Sequence, residues 1–271
     1  MSGRLSRGLS IGFLDALTER EVGTQGRMIE PQTNFAVARL SQDLRQGKTS
    51  IGVMVTAVTR ALDEWSTPYL RRSGYTGGID LRHRFLANNY ELTGYVAGSL
   101  VQGSETSITA LQLDGVHRYQ RSDGALEFDS TRTSVAGVAQ RLSVSKLGGG
   151  RARFQSVYQR FGAGFESNDL GFQSRADQQM LRNWFSVQYN TPAHFYRRMF
   201  INFNTMNQWS AAGLPTSQGL NTNTHAELKN TWWVHVGANY NGMTATYDDR
   251  VTRGGPALRN APSWSYWSGL Q

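Results

Sequence analysis

Three carboxylates, Glu166, Asp169 and Asp177, fall in one short glycine- and asparagine-containing stretch. Carboxylate oxygens that converge within a few ångströms serve two chemistries: paired acid–base hydrolysis of a glycosidic bond, and coordination of a calcium ion. The spacing matches no EF-hand template, and Asn168-Asp169-Leu170-Gly171 reads as a turn in which an Asn or Asp side chain bonds its own backbone. The five histidines, His83, His117, His194, His225 and His235, show no HExxH or other metal-ligand spacing. They are expected to face solvent or a lumen, and neither a metal nor a cofactor is expected. Cysteine is absent, which excludes disulfides, thiolate metal sites and a cysteine nucleophile. No GxSxG elbow appears, so nucleophilic hydrolysis has no motif behind it and no catalytic residue is assigned.

A second group of charges lies in a regular pattern. Asp80, Arg82 and Arg84 alternate with Ile79, Leu81 and Phe85, so on a strand the charges share one face and the apolar residues the other. His235 stands in the same relation to Val234 and Val236, on the face of Trp233 and Asn239. Asp80, Arg82, Arg84 and His235 are therefore lumen-facing candidates if the strands enclose water. There the charges either form a ladder that neutralises itself across strands or tune selectivity as charged rings do in pores.

The elements that must position these residues are written in the same alternation. Phe185, Val187 and Tyr189 oppose Ser186, Gln188 and Asn190, and Trp232, Val234, Val236, Ala238 and Tyr240 oppose Trp233, His235, Gly237, Asn239 and Asn241. This pattern predicts roughly ten to twelve strands, over residues 5–17, 34–44, 50–60, 75–85, 90–101, 134–146, 151–161, 182–190, 197–209, 224–240 and 243–248. Long loops are expected near 102–132, 162–180 and 210–223, and Gly148-Gly149-Gly150 marks a tight hairpin. Tyr69, Tyr75, Phe195, Tyr196, Trp209, Trp232 and Trp233 fall at strand ends, where aromatic girdles of a barrel would lie.

With 271 residues the chain suits one large β domain. Hydrophobic residues make up 39% and the mean hydropathy is -0.47, values that exclude a helical membrane protein but not a barrel, whose lumen face dilutes its apolar one. The net charge of +8 is spread among aromatic strands without a dense basic run, so a membrane rim or pore lining accounts for it better than nucleic acid does. The first residues, Met1 to Gly8, lack the apolar core of a signal peptide. If the protein is exported, the sequence is expected to be an internal piece of a longer chain.

Several stretches resemble, as a set and in order, a bacterial β-barrel family of unknown function. They are Ser10–Thr18, Asn34–Leu40, Gly78–Phe85, Tyr119-Gln120-Arg121-Ser122-Asp123 with Asp129–Ser134, Gly164–Phe172 with Ala176-Asp177, and Arg253-Gly254-Gly255-Pro256. The resemblance implies a large barrel in the bacterial outer membrane, the C-terminal region of long exported proteins with an N-terminal module like family 9 carbohydrate-binding domains. It implies outer-membrane lipid as a partner and a carbohydrate ligand held through a missing module, and it carries over no catalytic residue. The fold class expected is thus all-β, an antiparallel up-and-down transmembrane β-barrel present as an incomplete fragment. Two rivals stay open: a carbohydrate-active hydrolase using the loop carboxylates, and a soluble β-sandwich that binds glycans.

Overall fold

The computed structural model describes residues 2–24, 26–121 and 126–271, and in them the alternation becomes one antiparallel sheet of thirteen strands. In chain order these are β1 (Ser2–Arg4), β2 (Leu9–Thr18), β3 (Thr33–Leu44), β4 (Thr49–Arg60), β5 (Ser73–Phe85), β6 (Tyr90–Gln102), β7 (Ser134–Lys146), β8 (Ala152–Phe161), β9 (Gln178–Tyr189), β10 (Tyr196–Trp209), β11 (Pro215–Leu228), β12 (Trp233–Asn241) and β13 (Ser263–Leu270). Every strand pairs with its chain neighbour. Two small hairpins, Glu21–Val22 with Met28–Glu30 and Tyr247–Asp248 with Leu258–Arg259, lie in the connections. Among the described residues no helix is long and apolar enough to cross a membrane.

The sheet is open and not closed into a barrel. In an up-and-down sheet an odd strand count leaves the first and last strands running the same way, so β1 and β13 offer no antiparallel seam to each other. Each pairs on one side only.

Turns and loops segregate to opposite ends of the strands. Residues 45–48, 86–89, 147–151, 190–195 and 229–232 make tight connections at one end, and at the other end 19–32, 61–72, 103–133, 162–177 and 242–262 are long, with 210–214 the short exception. The glycine hairpin is as expected: Gly149 and Gly150 have φ of +74° and +93°, conformations that a Cβ disfavours.

The strand register shows what each face carries. Ile11, Leu40, Val53, Ile79 and Val96 stand side by side across five strands, and all are exposed, Ile79 by 61%. Nearer the tight turns, one register row holds Tyr90, Phe154, Phe185, Phe203 and Tyr266, with Phe85 stacked on Tyr90. The aromatic row thus falls on other residues than expected. Tyr196 is buried, and Trp233 lies on the polar face, stacked between Phe200 and His235; strand-end position alone did not reveal which face a ring takes.

The opposite face is polar and glycine-rich, and the long loops pack onto it. Helix α1 (Glu105–Leu113) is capped by Ser104, whose Oγ accepts the Ser107 N–H. It buries Ile108 and Leu111 against Val101 of β6 and Val135 of β7, the main apolar cluster. The segment 162–177 lies over β5–β7, where the Glu166 N–H donates to Ser99 Oγ at 2.9 Å.

Three expectations along the chain are corrected. Residues 210–223 are mostly strand: β11 carries Thr222 and Thr224 on one face and Asn221 and Asn223 on the other, a pattern whose apolar side is too weak to read as alternation. Residues 224–240 are two strands separated by the 229–232 turn, and 243–248 holds only the two-residue arm Tyr247–Asp248, the next full strand being β13. The loop at 102–132 contains α1; of the run Arg118–Gly124, Ser122, Asp123 and Gly124 lie outside the described residues.

A Cβ on Gly137 would overlap the backbone of Gly164 and Phe165. Gly137→Val should therefore lift the 162–177 segment from the sheet and cost about 1–3 kcal/mol. Limited proteolysis should cut that segment faster than in the wild type while the strands stay protected; unchanged cleavage would show that the segment is not seated on β7.

Candidate functional site

The polar face carries a charge ladder in its β3–β6 part. Arg39 of β3 makes a two-pronged contact with Asp80 of β5, one arm being Nη2 to Oδ1 at 2.8 Å. The pair passes over Gly52 of β4, where a Cβ would collide with both groups. Arg84 Nε donates to Glu91 Oε2 at 2.8 Å, and Arg82 lies 4.0 Å from Asp43. Asp80, Arg82 and Arg84 are thus on one face with opposite charges beside them. On β10 and β11, Arg198 donates to Glu227 at 2.7 Å. His235 shares the face and pairs with His225, Nδ1 to Nδ1 at 2.7 Å.

Across β10–β13 amides replace charges. Asn202 donates to Asn223, Asn223 to Asn221, Asn204 to Asn221, and Asn221 to Asn239, all at 2.6–2.7 Å; Asn239 then donates to Ser265 at 3.0 Å. Trp184 Nε1 donates to Asn202 at 3.2 Å, which fixes the indole beside this network. A recess of about 540 Å³ is lined from β7 through to β13. One recess reaches seven strands only because the sheet curves around its polar face. Arg141 of β7 and Arg182 of β9 line it, and among the described residues no carboxylate pairs with either. The sequence pattern put both arginines on the polar face but gave no sign that they would lack partners, since pairing depends on register.

At the loop end, charges are buried. Arg121 contacts Asp177 and lies 3.3 Å from Asp249, and Arg175 reaches Asp249 at 2.8 Å. Arg250 donates to the carbonyls of Gly115, Val116 and Ala176. Burial, with Arg175 nearby, pushes its guanidinium down to about 10. These contacts tie the 103–133, 162–177 and 242–262 connections together.

The three loop carboxylates do not share a site. Asp177 belongs to the Arg121 cluster. Asp169 is held by Arg60 at 2.6 Å and Arg71 at 3.5 Å. Glu166 is buried and lies 3.7 Å from His117, a residue that is fully enclosed rather than facing solvent or a lumen. Asp114 is the other neighbour of that imidazole, at 3.2 Å. Burial works to raise the Asp114 carboxyl, but hydrogen bonds from the His117 ring and the backbone N–H groups of His117 and Val116 outweigh it and hold it below the usual range. Forty-nine residues of chain separate His117 from Glu166, so no local spacing motif could announce the pair.

These features define an all-β, antiparallel up-and-down sheet protein whose loops pack on its polar face. The chain belongs to the family of the domain of unknown function DUF5916, whose model matches residues 1–268. No curated protein matches it.

Two carboxylate substitutions separate the buried cluster from the ladder. Asp177→Ala removes one of the carboxylates that face Arg121, whose side chain is 2% exposed, leaves Asp249 3.3 Å away, and should cost about 2–3 kcal/mol in denaturant unfolding. Asp80→Asn, at a pair more than a third exposed on both sides, should cost about 1 kcal/mol or less. Equal losses would mean that loop burial does not set the energetics.

Proposed function

We propose that this sheet is part of the wall of a bacterial outer-membrane β-barrel, apolar face toward lipid and polar face toward a water-filled interior, and that it anchors, exports or passes glycan-related material. The observation that carries the proposal is the orientation of the sheet. A soluble antiparallel sheet buries its apolar face under a second layer. Here the loops and α1 cover the polar face, while aliphatic rows and an aromatic row lie on the surface. Strands such as β5 and β6, 13 residues each, extend about 43 Å, enough at a tilt of ~40° to cross an apolar band ~25 Å tall. Within that face Ser156, Asn183 and Thr205 satisfy one another: Ser156 donates to Asn183 at 2.7 Å, and Asn183 to Thr205 at 3.0 Å.

The proposal requires that the free edges of β1 and β13 meet further strands, because an unpaired edge is not tolerated in hydrocarbon. The glycan component rests on the amide-rich wall, the hydrogen-bonded Trp184 and the resemblance to exported proteins with an N-terminal carbohydrate-binding module. A hydrolase built on Glu166, Asp169 and Asp177 finds no convergent carboxylate pair, each acid having its own partners.

Membrane fractionation in the bacterial host tests the reading directly. Recovery in the outer membrane, with a gel-mobility shift on boiling in detergent, is expected. In lipid, Val96→Arg and Phe203→Arg should each cost about 2–4 kcal/mol near mid-bilayer. Recovery as a monodisperse, detergent-free protein would sink the barrel.

The guanidiniums of Arg141 and Arg182, which no carboxylate among the described residues pairs with, favour anions in the recess. In planar bilayers the double variant Arg141→Gln with Arg182→Gln should lower the anion-to-cation permeability ratio several-fold. An unchanged ratio in a conducting wild-type protein would remove these residues from the passage.

A further inference from the structure

His117 sits in a cage built by two loops. Its Nδ1 lies 3.2 Å from Asp114 Oδ1, and its Nε2 lies 3.3 Å from the Phe165 carbonyl oxygen and 3.7 Å from Glu166 Oε2. Glu166 Oε1 accepts the Asn168 N–H, but Oε2, buried, has no hydrogen-bond partner among the described residues. Asp114 is an acceptor, so it holds the Nδ1 proton and leaves the Nε2 lone pair aimed at two further acceptors. Nε2 then faces a carbonyl oxygen and a carboxylate oxygen with no donor among the three; the Phe165 oxygen also accepts from Gln173 Nε2 at 2.8 Å and keeps a second lone pair. Such a set needs something between its atoms, either a proton shared by Nε2 and Glu166 Oε2 or a metal ion that all three atoms bind.

We propose that His117 Nε2, Glu166 Oε2 and the Phe165 carbonyl oxygen bind a divalent transition-metal ion of the zinc class, with Asp114 as the outer group that orients the imidazole. Ligand atoms on a tetrahedral ion with bonds of ~2.0–2.2 Å are about 3.4 Å apart, close to the separations found. A carboxylate on the far nitrogen of a ligating histidine is the usual support for such a site. Enclosure of the imidazole makes the role structural: the ion pins the 162–177 segment to the turn that follows α1, above the polar face of β6 and β7. Two oxygens and one nitrogen suit zinc or a neighbouring first-row ion.

The test uses the whole protein in detergent, stripped with a chelator and then equilibrated with zinc alone. One equivalent of zinc per chain should remain after gel filtration, with an X-ray absorption signature of one imidazole and oxygen ligands. Glu166→Gln and His117→Gln should abolish retention, and Asp114→Asn should weaken affinity about 10–100-fold. Because His225 and His235 also adjoin, His235→Gln is the control and should leave zinc bound. Zinc that survives His117→Gln, or departs with His235→Gln, overturns the proposal. So does a wild-type chain that retains no zinc and whose imidazole nitrogens are both protonated by NMR, since a proton then supplies the charge; that wild-type measurement stands even if a variant fails to fold.

Discussion

Everything in this molecule follows from one constraint: neighbouring strands exchange backbone hydrogen bonds in a continuous antiparallel ladder, and side chains reverse direction at each residue along it. Once register is set, an isoleucine at one position fixes the face of every residue in its row. The row from Ile11 to Val96 and the row from Tyr90 to Tyr266 are consequences of pairing, since their members are far apart in sequence. The same rule sends Asp80, Tyr95 and Arg141 to the other side, onto one polar wall. A slip of one residue anywhere would exchange the two faces beyond it, so the side-chain pattern and the register depend on each other.

The legibility of the sequence tracked the contrast between faces. In β12 the alternation of Val234, Val236 and Tyr240 with His235, Asn239 and Asn241 is strong, and the strand was evident. In β11 the apolar side is represented by Leu220 and Ala226 among threonines, and its first part, up to residue 223, reads as a loop. Helix α1 carried a signal that was present but slight: Ser104 as a cap, Glu105 in the first turn, and Ile108 and Leu111 three residues apart on one face. The faces of Asp80, Arg82, Arg84 and His235 were readable because parity is local. The companions of Glu166, Asp169 and Asp177 were not, because each pairing joins segments that only the folded topology brings together.

The polar face divides into a filled part and an open part, and glycines help decide which is which. Gly74 and Gly137 present bare backbone where Asp169 and Phe165 approach, so the wall is thin there and segment 162–177 can lie flush on β5–β7. Ser99 and the cluster of Val101 and Val135 complete that seat. Over β8–β13 the polar face carries Gln155, Trp184, Asn204 and Asn221, which line the recess. The recess persists where the wall is thickly lined with amides.

Charge compensation separates the two parts for a physical reason. Loop charges taken out of water are very costly when unpaired, and so Arg121, Asp177, Asp249 and Arg175 come together as a cluster. Because its members belong to three different connections, none of these loops leaves without stranding a charge on the others, and the cluster acts as a lock on the filled side. Among the described residues no carboxylate pairs with Arg141 or Arg182, which line the open recess, where a charge in contact with water costs little. The recess stays open because the loops stop short of β8–β13, so that the lock on one side and the open, positively charged wall on the other are two results of the same packing.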